Sequence, residues 1–299
     1  PMLPTTEPLP PRSVALARND FSLTMPKKPT KKPARRKSKF TAKTADKHDL
    51  YQRSVQDPET EVFFINRFFK AIRKRAPLTL REDFCGTALL CGHWVQSLKG
   101  RSALGIDIDP KVLAWGVKHN IEPLGEDAAR VKLLKQDVRA ASPGKHDVVC
   151  AFNFSYWIFK TREAMVAYFK HVKKGLGKEG AFMLDAYGGW ESHEPMLEPR
   201  AIKGGFTYVW DQDKFNPITH EILNYIHFEF TDGTKMDKAF TYDWRYWSIP
   251  ELTELLKEAG YSDVGVYWDS SKDDNVDDYK RTTRAQNQPG WLAYIVALP

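Results

Sequence analysis

Two rhythms of apolar and polar residues divide this chain, and residues 1–47 carry neither. Behind Asp57-Pro58, a cap followed by a first-turn proline, Val62, Ile65, Phe69 and Ile72 recur at helical spacing. Leu78–Asp83 then reads as a strand, Thr87–Leu98 as a helix and Ser102–Asp107 as a second strand, with Asp109-Pro110 opening the helix behind it. Val131–Lys135 and Asp147–Asn153 are further short apolar runs. Thr161–Lys174 is amphipathic through Met165, Tyr168, Phe169 and Val172, and Gly180–Tyr187 is another strand. Strands and helices alternating at this spacing imply parallel βαβ units in an α/β fold.

The second rhythm has a period of two and occupies residues 188–247. Phe206–Trp210, Glu221–Phe230 and Lys238–Trp244 alternate apolar with polar, and Asp232-Gly233 supplies a hairpin turn between the last two. This segment reads as an antiparallel insertion after the fifth strand. Ser248-Ile-Pro-Glu251 is a capping box that opens a helix to Ala259, which Gly260 terminates. Val264–Trp268 and Trp291–Leu298 supply two closing strands around a polar loop.

Composition changes the picture at the amino end. The chain's formal charge is +7, yet residues 27–47 hold ten Lys/Arg against the single acid Asp46, so the remainder carries −2. Eight of the nineteen prolines also fall within residues 1–47. This composition predicts a disordered Pro/Lys-rich tail, with the folded domain at 48–299. Any nucleic-acid or anionic-surface contact should belong to residues 27–47 and be weak. Met25 offers a second plausible start. The run 27–39 leaves a nuclear address open, and Arg12 and Arg18 leave an organelle address open, beside a plain cytoplasmic location. No apolar stretch is long enough for a membrane span. Cys85, Cys91 and Cys150 lack metal-type spacing, as do His193, His220 and His227, which are expected on the insertion's surface; no metal is expected.

The chemistry concentrates at Arg81-Glu82-Asp83-Phe84-Cys85-Gly86-Thr87-Ala88, a strand, a tight turn and a helix entry. A glycine there lets backbone N–H groups approach a ligand, and the helix amino end favours a negative group. A diphosphate would want three glycines. A cofactor with an amino-acid tail needs an acid for its ammonium and amides for its carboxylate. Asp107 ends the next strand, where a carboxylate can accept from both hydroxyls of a ribose.

In these residues the chain resembles the class I S-adenosylmethionine-dependent methyltransferases. Their first motif, acid-x-Gly-x-Gly-x-Gly, stands here with Phe84 and Ala88 at its outer glycines. The resemblance implies a Rossmann-like, doubly wound, mostly parallel seven-stranded sheet with S-adenosyl-L-methionine at its carboxyl edge. It implies that Glu82 holds the methionine ammonium, with Phe84 and Gly86 giving backbone contacts. Asp107 would take the ribose, Ile108 would flank the adenine, Asp137-Val138 would receive its amino group, and Asn153 would face the methyl. Such enzymes often fold a segment over the cofactor, and Tyr51 is expected to cap it. Each position also has a plain structural reading: Glu82 as a strand-end acid, Asp107 or Asp109 as a helix cap, Asp137 as a turn residue.

The acceptor side is expected among aromatic clusters at Asn153–Trp157, Asp185–Tyr187 and Asp243–Trp247, through Tyr156, Asp185, Tyr187, Trp244 and Tyr246. The leading expectation is in-line methyl transfer to a small-molecule acceptor, with the insertion as lid and pocket. A nucleic-acid or protein methyltransferase is the alternative, since Asn153-Phe-Ser-Tyr156 has the outline of a base-gripping Asn-Pro-Pro-Tyr motif. A non-catalytic cofactor-binding module is a further one, and a nicotinamide oxidoreductase the remaining enzyme class.

Overall fold

The computed structural model describes residues 40–140, 144–271 and 278–299. Most of the expected tail, including the basic run 27–39, lies outside the described residues. Its last stretch does not match the expectation. Thr41–Thr44 form a turn, the Phe40 ring meets Phe206 edge-on at 5.9 Å, and the Ala42 amide donates to Thr234 Oγ1 at 3.0 Å. Ordered chain therefore begins before residue 48.

Asp46 then caps α1 (Lys47–Val55), and Asp57 caps α2 (Pro58–Arg73), each accepting first-turn amides. Next come β1 (Thr79–Asp83), α3 (Leu89–Ser97), β2 (Ser102–Asp107), α4 (Pro110–Gly116), β3 (Val131–Lys135) and β4 (His146–Ala151). After α5 (Arg162–Gly175) and β5 (Leu176–Gly188), the antiparallel run comprises β6 (Met196–Ile202), β7 (Phe206–Phe215), β8 (Glu221–Phe230) and β9 (Lys235–Arg245). The chain closes with α6 (Ile249–Glu258), β10 (Asp263–Asp269), β11 (Tyr279–Arg281) and β12 (Trp291–Leu298).

The main sheet has the order β11-β10-β12-β5-β4-β1-β2-β3. β5, β4, β1, β2 and β3 pair in parallel, whereas β12 runs antiparallel to β5 and β10. Eight strands replace the expected seven, because Tyr279–Arg281 pairs with β10 inside the loop. β6–β9 form a separate four-stranded antiparallel sheet. β6 escaped sequence reading because three of its seven residues are exposed and Pro199 interrupts it.

Chain order reverses between β1 and β4, which opens a crevice at the strands' carboxyl ends. One core cluster fills the α2–α3 side of the sheet, with Phe64, Phe69 and Trp94 on Leu80 and Val148. The other joins α5, α6 and the antiparallel sheet through Phe169, Phe182, Leu255 and Phe228. Burying one such ring contributes about 2–3 kcal/mol. Among the described residues no helix is long and apolar enough to cross a membrane.

Candidate cofactor and acceptor site

β1 ends in a turn whose backbone is left-handed at three alternate residues: Phe84 (φ 59°), Gly86 (φ 52°) and Ala88 (φ 55°). Two of these carry side chains, at about 1–2 kcal/mol of strain each. Packing offsets it. Ala88 is fully buried, and the Phe84 ring lies 6.0 Å from Phe159 and 5.9 Å from Tyr168. Because Ala88 is left-handed, α3 starts at Leu89 rather than at the expected Thr87. A Cβ on Gly86 would meet nothing within 4 Å, so the turn stands open there. Its other side is gripped. Asn120 Nδ2 donates to the Thr87 carbonyl at 2.8 Å, Gln52 Nε2 of α1 donates to Thr87 Oγ1 at 2.7 Å, and Gly116 of α4 leaves no room for a Cβ against Thr87.

Asp107, at the end of β2, accepts the Gly86 amide on Oδ2 and the Asp109 amide on Oδ1, both at 2.9 Å. Each oxygen keeps a lone pair for a further donor. Asp109 caps α4 by accepting the Lys111 amide at 2.8 Å. Ile108 projects between them at 67% exposure. Across the crevice, Asp137 is held by Arg139, whose Nη2 and Nε approach it at 2.6 and 3.0 Å; that hydrogen-bonded pairing lowers its pKa. The Val138 side chain is buried, and its carbonyl accepts Arg81 Nη2 at 3.0 Å.

Three acids converge behind the turn. Burial pushes Glu82 up to about 8, with the Asp107 and Asp83 charges adding; the Cys91 thiol donates to it at 3.0 Å and works the other way. Asp185 of β5 accepts the amides of Asn153 at 2.7 Å and Phe154 at 3.0 Å, and burial pushes it up to about 7. Asn153 and Phe154 both stand at φ 57°, a strained pair that aims its N–H groups at this carboxylate. Glu61, in the first turn of α2, is raised well above its usual range by burial and by the nearby Glu82, Asp185 and Asp57. Sequence reading missed Glu61. The available signal was an acid four residues before Ile65, on the helix's apolar stripe.

No family model matches the chain, and no curated protein sequence matches it. Solved structures do. An S-adenosylmethionine-dependent methyltransferase from Clostridium acetobutylicum superposes with a TM-score of 0.63 at 17% identity, covering 84% of this chain and 97% of that one. An amino pentose methyltransferase from Micromonospora echinaspora, its structure described as bound to S-adenosylmethionine, gives 0.60 at 13% identity over 84% and 96%. A sugar N-methyltransferase from Streptoalloteichus gives 0.58 at 15% identity over 92% and 98%. The fold is that of the S-adenosylmethionine-dependent methyltransferases.

On this methyltransferase fold the expected acceptor aromatics divide. Tyr156 is fully buried and its hydroxyl donates to the Asp185 carbonyl at 2.7 Å. It cannot grip a flipped base from there. Tyr187 stacks on Trp157 at 4.7 Å, and its hydroxyl accepts Asn224 Nδ2 at 3.4 Å. Trp244 packs 4.4 Å from Tyr242, and Tyr246 lies 5.3 Å from Trp157 and 4.7 Å from His193. Tyr156, Tyr187, Trp244 and Tyr246 are thus at most 7% exposed and form the seam between the two sheets. Alternation alone does not say which face of a strand is inward when both are covered.

Tyr51 of α1 lies against Phe240 at 4.9 Å, with Tyr242, Glu61 and Asp185 as electrostatic neighbours, and burial pushes it up to about 12. Tyr208 and Tyr242, which sequence reading did not select, are neighbours of the same hydroxyl. His193 stacks on Phe215 at 4.3 Å, and His227 sits between Asp211 and Asp237, so both are half-buried rather than on the open surface. Among the described residues no group of His, Cys, Asp and Glu is arranged to hold a metal ion.

Proposed function

We propose that this chain is an S-adenosylmethionine-dependent methyltransferase acting on a small-molecule acceptor. The observation that carries this reading is the turn at residues 84–88. It keeps a glycine-type backbone at all three motif positions despite Phe84 and Ala88, and Asp107 fastens its middle amide. The residues fit the cofactor: Glu82 is buried and has no cation partner among the described residues, and the face of Gly86 is open. Glu82 would hold the ammonium, Asp107 the ribose, Gly86 the carboxylate edge through its backbone, and Ile108 the adenine. Asp137 would receive the adenine's amino group only by sharing its carboxylate with Arg139.

Bound there, S-adenosylmethionine supplies a methyl group on a sulfonium carbon, open to in-line attack. The chain's part is to hold donor and acceptor in line and to exclude water. α1 suits that role, because Gln52 touches the turn while Tyr51 touches the antiparallel sheet. The similar amino pentose and sugar N-methyltransferases favour a small acceptor, and the buried Tyr156 speaks against a flipped base. Residues 27–47 are proposed only as a loose anionic contact.

The test is incubation of the full chain with methyl-labelled S-adenosylmethionine and a metabolite extract. Label in a low-mass product is expected, unchanged when residues 1–39 are deleted. Label confined to protein or nucleic acid overturns the small-molecule reading.

A further inference from the structure

Glu61 has no assigned role, and its position is unusual. Arg73, at the far end of α2, donates from Nε to the Glu179 carbonyl at 2.8 Å, so that end lies at the start of β5. The helix has 16 residues and runs about 24 Å, which carries its first turn to the strands' carboxyl edge. Helical spacing puts Glu61 on the face of Ile65 and Phe69, both fully buried. Its electrostatic neighbours there are Glu82, Asp185 and Asp57, all of its own sign. Among the described residues no side chain donates to it or pairs with it.

A second observation lies on β7. The Tyr208 side chain is 3% exposed, yet its hydroxyl has no hydrogen-bond partner among the described residues. A buried hydroxyl left so costs about 1–3 kcal/mol, and such groups are commonly completed by a ligand or water. Tyr208 neighbours Tyr51 and Tyr242, and Tyr51 in turn neighbours Glu61 and Asp185. A group of acids thus neighbours a group of hydroxyls, and the Arg200 guanidinium, over the Tyr208 ring at 5.1 Å, is turned to the Ser54 carbonyl. An anionic acceptor would be repelled from the acids, whereas a cationic one would supply the counter-charge that favours the ionised Glu61 carboxylate.

We propose that the acceptor is a protonated amine, held between the Glu61 carboxylate and the hydroxyls of Tyr51, Tyr208 and Tyr242, and that Glu61 removes its proton. This rests on the methyltransferase reading. The ammonium gives one proton to the carboxylate, leaving a neutral amine and a neutral carboxylic acid. The nitrogen's freed lone pair would then form the new bond to the methyl carbon as the carbon–sulfur bond breaks, its electron pair staying on sulfur as the thioether of S-adenosylhomocysteine. Asp185, fixed by the Asn153 and Phe154 amides, assists as a nearby negative charge that makes Glu61 readier to accept the proton.

Calorimetry on the full chain with S-adenosylhomocysteine present tests this, using glucosamine and cyclohexylamine against glucose and cyclohexanol. The wild type should bind at least one amine about tenfold or more tighter than its alcohol counterpart. Glu61→Gln should erase that preference while S-adenosylhomocysteine affinity stays within about twofold. Tyr208→Phe should weaken the amine and keep the preference. Equal binding of amines and alcohols, or no amine bound, overturns the proposal, as does loss of S-adenosylhomocysteine affinity in Glu61→Gln. Absence of S-adenosylhomocysteine binding by the wild type would instead sink the methyltransferase reading.

Discussion

The carboxylate of Asp107 accepts the amide of Gly86 at 2.9 Å, so a side chain ending β2 holds the turn that ends β1. Twenty-one residues apart in sequence, the two make one half of the candidate cofactor site a single mechanical unit. Movement of either displaces the other.

Gly116→Ala should act on the turn from outside it. A Cβ there would come 2.7 Å from the Thr87 carbonyl carbon, and backbone cannot yield as a flexible side chain does. Overpacking of this kind costs about 1–3 kcal/mol. Urea unfolding should show that loss, and cofactor affinity should fall with it. A stability equal to the wild type would mean that the turn is not braced by α4.

Ala88→Gly should be close to neutral. The glycine relieves about 1–2 kcal/mol of left-handed strain but gives up a buried methyl, about 0.8 kcal/mol, and chain entropy of about 0.5–1 kcal/mol. The urea midpoint should move by less than the equivalent of about 1 kcal/mol. A loss beyond about 2 kcal/mol would show that Ala88 is unstrained.

Much of this was legible in the sequence, and the failures share physical causes. Parallel βαβ order and the turn at Gly86 announce themselves through local periodicity and a lone glycine. Their information is contained within a few neighbouring residues. Glu61 was hidden because an acid in a helix's first turn is ordinary; only the tertiary meeting with Asp185 makes it exceptional. Tyr208 and Tyr242 look like any alternating strand residues until the second sheet folds over α1. Tyr156 and Tyr246 misled for the converse reason, since a polar tip on an aromatic ring fits a seam hydrogen bond as well as a pocket.

The Arg81–Asp83 pair should be the costliest to break. It is fully buried, with Nε to Oδ1 at 2.7 Å, and Tyr168 donates to the same carboxylate at 2.9 Å. Asp83→Ala strands a guanidinium in the core and should cost about 3–5 kcal/mol. Replacing both partners with apolar residues should cost clearly less, as chemical denaturation of the single and double variants will show. Equal costs would mean that the pair is not coupled.

Glu82 and Asp185 make the free protein's stability depend on pH. Their folded pKa values, about 8 and about 7, exceed the ordinary 4.5 and 3.8. The folded state therefore binds more protons than the unfolded one between about pH 4 and pH 8. Their contribution is fully present below pH 4 and is lost as pH rises through that window. Urea midpoints should fall from pH 5 to pH 8, and Glu82→Gln should shrink the fall. An unchanged fall in that variant would show Glu82 to be charged throughout.

Whether Asp107 holds the ribose is read by titrating S-adenosylhomocysteine into the wild type and into Asp107→Ala, followed by calorimetry. One molecule should bind per wild-type chain, with affinity lower by about 1–3 kcal/mol in the variant, roughly five- to 150-fold. No heat with the wild type, or equal affinity in the two proteins, would contradict this.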